Sequence, residues 1–182
     1  MENPMHPDPV AAQAEWARRV RENRAQVDRF RELPEDADFY APVAARFRDD
    51  PRRQGDPVVE RLRELARPDE TWLVVGAGGG RYALPLALAV REVIALDPSR
   101  GMLNVLRENM AEHRIGNVRI VEARWPDPSL PREQVRADTA LIANVGYDIE
   151  EIGPFLGGLE AAAPRVVAVL AQRQRAADAD QF

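Results

Sequence analysis

With 182 residues, 45% of them apolar and 30% charged, the chain is long enough to bury a core and has the balance of a globular protein. A net charge of −5 provides no basic field for a polyanion, and no apolar run approaches the roughly 18 residues that span a bilayer. There is no cysteine, which excludes disulfides and thiolate chemistry, and all 25 basic residues are arginine, which excludes Schiff-base catalysis.

The N-terminus, MENPMHPDPV, has neither a basic start nor an apolar signal core, so a cytoplasmic location is expected. Residues 11–33 read as an amphipathic helix with Trp16, Val20, Val27 and Phe30 on one face, ended by Leu33-Pro34. A second helix is expected over 38–48, carrying Phe39, Tyr40, Val43 and Phe47. Breakers follow at Asp49-Asp50-Pro51 and Gln54-Gly55-Asp56-Pro57. Val58, Val59, Leu62, Leu65 and Ala66 mark a helix leading into the first strand.

From there strands and helices alternate. Strands are expected at 71–75, 93–97, 118–122, 138–144 and 165–170. Helices are expected at 81–90, with Pro85 in the first turn, at 99–112, capped by Ser99, and at 148–163, interrupted by Gly153-Pro154. Residues 125–136 hold Pro126, Pro128 and Pro131 and read mostly as loop. This order predicts an α/β fold with a doubly wound, mainly parallel sheet and helices on both faces.

The stretch 71–97, TWLVVGAGGGRYALPLALAVREVIALD, carries the chemistry. It is a strand, a glycine loop, a helix and a second strand ending on Asp97, the arrangement of a nucleoside-binding device. Glycines let the backbone approach a ligand, and an acid about 20 residues past the first glycine sits where a ribose diol can donate to it. A dinucleotide fingerprint would need glycine or alanine where Arg81 stands, and no Lys-Ser/Thr pair follows for a P-loop. The loop is GxGxG, with Gly76, Gly78 and Gly80, which suits a ligand with ribose and adenine but no pyrophosphate.

Here, and in the run Ile94-Ala95-Leu96-Asp97-Pro98-Ser99 with Met102, the chain resembles the class I S-adenosylmethionine-dependent methyltransferases. The resemblance implies a Rossmann-like domain over 57–182 and S-adenosylmethionine as cofactor. The helical residues 1–56, with Trp16, Phe39, Tyr40 and Phe47, are expected as an N-terminal lid, or else as a cover for a sheet face or a dimer contact. It places Gly76, Ala77, Gly78 and Gly80 against the methionyl and ribose portion, Asp97 on the ribose hydroxyls, and Pro98 and Met102 along the adenine. Glu122-Ala123 corresponds to the family's Asp-Ala pair at the adenine edge, and Asn144 would offer its carbonyl to the methionyl ammonium. Trp125 is open between stacking on adenine and filling a loop core; Tyr147 is open between acceptor pocket and ordinary packing.

The implied activity is methyl transfer, with a small molecule as the leading acceptor and nucleic acid disfavoured by the acidic charge. No catalytic residue is singled out; Asp148, Asp36 and Tyr40 are candidate bases by location alone, and no metal site is expected around His6 or His113. Two departures from the family stand out. Val74 replaces the acid that opens the first motif, and the polar tail 171–182 offers no sixth or seventh strand, so the resemblance covers residues 57–170. That leaves room for a homodimer completing the sheet, for a shortened piece of a longer enzyme, or for a scaffold that keeps the fold without catalysis. A nicotinamide-dependent oxidoreductase is the rival from another class.

Overall fold

The computed structural model describes residues 8–28, 38 and 41–170. Five strands, β1 (Thr71–Val75), β2 (Glu92–Asp97), β3 (Val118–Glu122), β4 (Thr139–Ala143) and β5 (Arg165–Val169), form one all-parallel sheet in the order β3-β2-β1-β4-β5. The helices are α1 (Pro9–Asp28), α2 (Pro57–Leu65), α3 (Ala83–Ala87), α4 (Arg100–His113), α5 (Arg132–Val135) and α6 (Ile152–Ala162), with a 3-10 helix at Ala41–Phe47. The chain runs outward from β1 to β3 and then returns to β4 on the other side of β1. The crevice between β1 and β4 is therefore the switch point, where ligands of open α/β sheets bind.

Side-chain alternation along β1 explains why its sequence is apolar throughout. Trp72 and Val74 face a core with Leu62, Leu84, Leu103 and Leu106, while Leu73 and Val75 face a second core with Trp125, Phe155 and Leu159. A parallel strand covered on both faces has no polar side to show. Phe155 is 1% exposed and ties α6 to the second core. Truncation to alanine should cost about 3–5 kcal/mol of stability, read as a lower midpoint in urea.

Several boundaries differ from the sequence expectation for local reasons. α3 is shorter than 81–90 because the glycine loop continues as a turn through Arg81 and Tyr82, and Pro85 is its third residue, in the first turn as expected. α6 starts at Ile152, so Gly153-Pro154 opens it rather than interrupting it; a missing amide there leaves no helical bond unmade. The 38–48 segment is a 3-10 helix from Ala41 to Phe47, the short, tight form a proline-bearing segment takes. α1 covers Pro9–Asp28, and the expected features at Phe30, Leu33-Pro34, Asp36, Phe39, Tyr40 and the tail 171–182 fall outside the described residues.

Side-chain caps start α4 at the expected Ser99 and α2 at Asp56, read from the sequence only as part of a breaker. Asp56 accepts from the amides of Val58 (3.0 Å) and Val59 (3.2 Å) to start α2. Ser99 Oγ accepts from the Met102 amide (3.1 Å) to start α4. No helix among the described residues is long and apolar enough to cross a membrane.

Candidate functional site

The amides of Gly76 and Ala77 both donate to the Leu96 carbonyl, at 2.8 and 3.1 Å, carrying the β1–β2 ladder one step past the strand. The backbone then reverses through three left-handed glycines, Gly76 (φ 72°), Gly78 (φ 53°) and Gly80 (φ 95°). Each does a different job. A Cβ on Gly76 would overlap Cγ2 of Val145, from the loop after β4. A Cβ on Gly80 would lie 2.6 Å from Leu106 Cδ1 and 2.8 Å from Leu84 Cγ, so this glycine admits core side chains. Gly78 has nothing within 4 Å of that position and is the point where the loop opens to the crevice.

Asp97 organises the two loops. Its Oδ2 accepts from the Gly78 amide and its Oδ1 from the Ser99 amide, both at 2.8 Å. Each carboxylate oxygen keeps capacity for a further donor, which is what a vicinal diol supplies. At 8% exposure the carboxyl is largely out of water, and this burial raises its pKa. The Ser99 and Gly78 amides pull against the rise, and the charge of Asp38 adds to it.

The sign of the pH effect follows. The folded protein holds the Asp97 proton at a pH where the unfolded chain, near 3.8, has released it. This group's contribution to stability is thus greatest below 3.8 and falls as pH rises through the folded pKa. A diol donating to Asp97 is held best by the carboxylate, so affinity for a diol-bearing ligand at this position should weaken on acidification, starting above pH 3.8. Titration of ligand affinity across the acid range measures it; an unchanged affinity down to pH 3.8 would contradict the assignment.

The other expected residues divide into two groups. Pro98 is exposed beside Asp97. Glu122 lies opposite Asp97 in the β2–β3 register, with its carboxylate 3.1 Å from the Arg100 guanidinium. The Ala123 amide donates to the Asp97 carbonyl at 3.2 Å. Asn144 is exposed in a left-handed conformation (φ 55°), its amide bonded to the Val169 carbonyl at 2.9 Å, and Gly146 follows at φ 98°. These residues share one end of the sheet with Gly76 and Gly78. By contrast, the Ala77 side chain is buried in the first core, and Met102 is 4% exposed beneath Ala44 and Val105. Trp125 fills the second core, with Nε1 donating to the Phe155 carbonyl at 3.2 Å, and so does not stack on the crevice.

Residues before the sheet also reach this end. From α1, Trp16 Nε1 donates to the Ile149 carbonyl (2.7 Å), Arg24 to the Asp148 carbonyl (3.0 Å), and Arg21 pairs with Glu150. Asp38 accepts from Ser99 Oγ (2.7 Å) and from the Gly101 amide (2.9 Å). Arg81 pairs with Asp49 (3.3 Å) and Asp56 (3.2 Å), and Arg53 donates to the Arg81 carbonyl (2.9 Å), which fixes the end of the glycine loop. None of these contacts was legible in the sequence, because each joins residues at least 25 positions apart that carry no motif. Among the described residues no group of three or more His, Cys, Asp or Glu is arranged to hold a metal ion.

Residues 73–156 match the methyltransferase domain family. This segment is a class I methyltransferase domain. The family uses S-adenosylmethionine, and the methyltransferase domain here has the Rossmann-like fold with five parallel strands. Over 72 residues the chain is 38% identical to a tRNA/tmRNA (uracil-C(5))-methyltransferase of Pseudomonas putida (strain W619), a stretch covering 40% of this chain and 20% of that protein. The chain thus spans about a fifth of the length of the curated relatives it matches. Among solved structures it resembles an S-adenosylmethionine-dependent methyltransferase of Aquifex aeolicus, with a TM-score of 0.61, 22% identity and coverage of 75% of this chain and 76% of that one. It also resembles phosphoethanolamine N-methyltransferase 1 of Haemonchus contortus, with a TM-score of 0.55, 16% identity and coverage of 74% and 31%.

The methyltransferase domain differs from the motif at Val74. Its side chain, 3% exposed, packs into the first core with Trp72 and Leu103.

Proposed function

We propose that the chain binds S-adenosylmethionine through Gly76, Gly78, Asp97, Pro98, Glu122, Ala123 and Asn144 and transfers its methyl group to a small-molecule acceptor. The observation that carries the acceptor class is the docking of α1 on the loop after β4. Trp16, Arg21 and Arg24 bond to residues 148–150, which supports an acceptor side narrowed by α1, where a small molecule fits better than a macromolecule. Asp97 would accept from both ribose hydroxyls, the amides of the glycine loop would meet the methionyl portion, and Ala123 would meet the adenine edge.

The bound cofactor supplies a sulfonium methyl that is already activated, and the transfer is an in-line displacement. The protein's work is then alignment and exclusion of water rather than proton transfer by a designated side chain. Asp148 is exposed on the acceptor side and is the described carboxylate nearest in sequence to Tyr147 there. An acceptor that must lose its proton would find a base in it.

The test is S-adenosylhomocysteine release on incubation with S-adenosylmethionine and separate panels of small amines, phenols, carboxylic acids and thiols, with tRNA as the macromolecular arm. Turnover of one small-molecule class supports the reading; turnover of tRNA alone would replace the acceptor class. Cofactor binding with no turnover in any arm would favour a scaffold that keeps the fold. Pairing of two copies along β5, whose Val166 is 38% exposed, belongs to the same reading and is checked by sedimentation.

A further inference from the structure

We propose that Asp38 is a positioning residue of the cofactor site, and that the 3-10 helix Ala41–Phe47 forms part of that site's wall. This rests on the proposed cofactor reading. The Asp38 carboxylate spans the start of α4, accepting from Ser99 Oγ at 2.7 Å and from the Gly101 amide at 2.9 Å. Ser99 in turn donates its own amide to Asp97 Oδ1 at 2.8 Å and caps α4 through Met102. One continuous relay therefore runs from Asp38 through Ser99 to the acid that faces the ribose. Charge-assisted bonds of this kind are short and directional, so they set where the 97–99 turn lies.

A second set of contacts holds the same segment independently. Ala44, 4% exposed, packs on Met102 and Val105, the apolar face of the first turns of α4. A Cβ on Gly79 would stand 2.9 Å from the Phe47 carbonyl oxygen, so the 3-10 helix also lies directly on the glycine loop. The segment thus touches both loops that Asp97 bridges. Asp38 accepts from Ser99 and Gly101 at the start of α4, and Pro98 and Glu122 remain exposed at the ligand's side. Docking of the segment and binding of the cofactor should therefore support each other, since each orders the same turn.

The experiment uses the full chain and S-adenosylhomocysteine as probe. Calorimetry gives affinity for wild type, Asp38→Ala, Asp38→Asn and Ser99→Ala, and hydrogen exchange follows the amides of residues 41–47 with and without the probe. Asp38→Ala should weaken binding about tenfold and Asp38→Asn, which keeps one acceptor oxygen, by less. Combining Asp38→Ala with Ser99→Ala should cost less than the sum of the two single changes, because both break the Ser99–Asp38 bond, while the Gly101 bond of Asp38 and the Met102 cap of Ser99 are lost separately. The probe should slow exchange in 41–47 of wild type but not of Asp38→Ala, a readout that a merely structural aspartate would not move. Equal affinity of wild type and Asp38→Ala would overturn the inference, and tighter binding by the variant would show that the segment competes with the ligand. If wild type itself binds no probe, the cofactor reading fails first and the inference falls with it.

Discussion

Asp97→Ala should abolish measurable binding of S-adenosylmethionine and S-adenosylhomocysteine while leaving the fold in place. Two hydrogen bonds from a ribose diol to a carboxylate are worth about 1.5–3 kcal/mol each, so their joint loss weakens affinity by more than a hundredfold. The same carboxylate holds the Gly78 and Ser99 amides at 2.8 Å, and its removal frees both loops to drift from the geometry the ligand needs. Stability should suffer far less. The variant loses two amide bonds but also sheds a carboxyl whose burial disfavours its charged form. Calorimetric titration together with a urea melt separates the two effects. An affinity within threefold of wild type would remove Asp97 from the site, and with it the main support for the cofactor assignment.

Gly76→Ala should damage stability and binding together. At φ 72° a Cβ costs about 1–2 kcal/mol by itself. The added methyl also overlaps Cγ2 of Val145, and forcing an extra carbon into a packed contact typically costs about 1–3 kcal/mol more. The combined loss of about 2–5 kcal/mol is a large share of a typical domain's stability. Because Val145 follows Asn144, relief of the overlap must move the loop after β4, on the side where the methionyl group is proposed to lie. The pair Gly76→Ala with Val145→Ala isolates the two contributions: it should recover the packing part and leave the backbone strain. A single variant as stable as wild type would mean that the loop adapts freely and that Gly76 is not required for shape. Gly78→Ala makes a useful contrast, since its Cβ meets nothing within 4 Å and only the dihedral penalty at φ 53° remains.

Much of the architecture was readable from local pattern. Short apolar runs bounded by breakers located the five strands to within a residue or two, most plainly β1, β2 and β4, whose burial on both faces leaves little polar alternative. Ser99 as the cap of α4 and the mostly irregular 125–136 crossover came from local chemistry, a hydroxyl before a helix and prolines that break one. The glycine loop and Asp97 were legible because their spacing is set by the backbone path of a single strand–loop–helix–strand unit. The family match over residues 73–156 falls on this same contiguous stretch.

What local pattern leaves open is every choice between two partners for one side chain. Trp125 is equally suited to stack on a purine or to fill a core, and only the position of α6 puts its ring against Gly158 and its indole nitrogen on the Phe155 carbonyl. Met102 reads as a ligand contact until Ala44, 58 positions earlier, is found lying on it with Val105. Asp38 has no motif and becomes interpretable only where the chain brings it to Ser99 and Gly101. Strand order, the contact of Trp16 with the Ile149 carbonyl, and the Arg53–Asp56–Arg81 network behind the glycine loop are decided in the same way. Backbone preferences and capping act over a few residues and are written in the order of the chain. Packing and charge pairing act through space, and their partners exist only once the sheet has assembled.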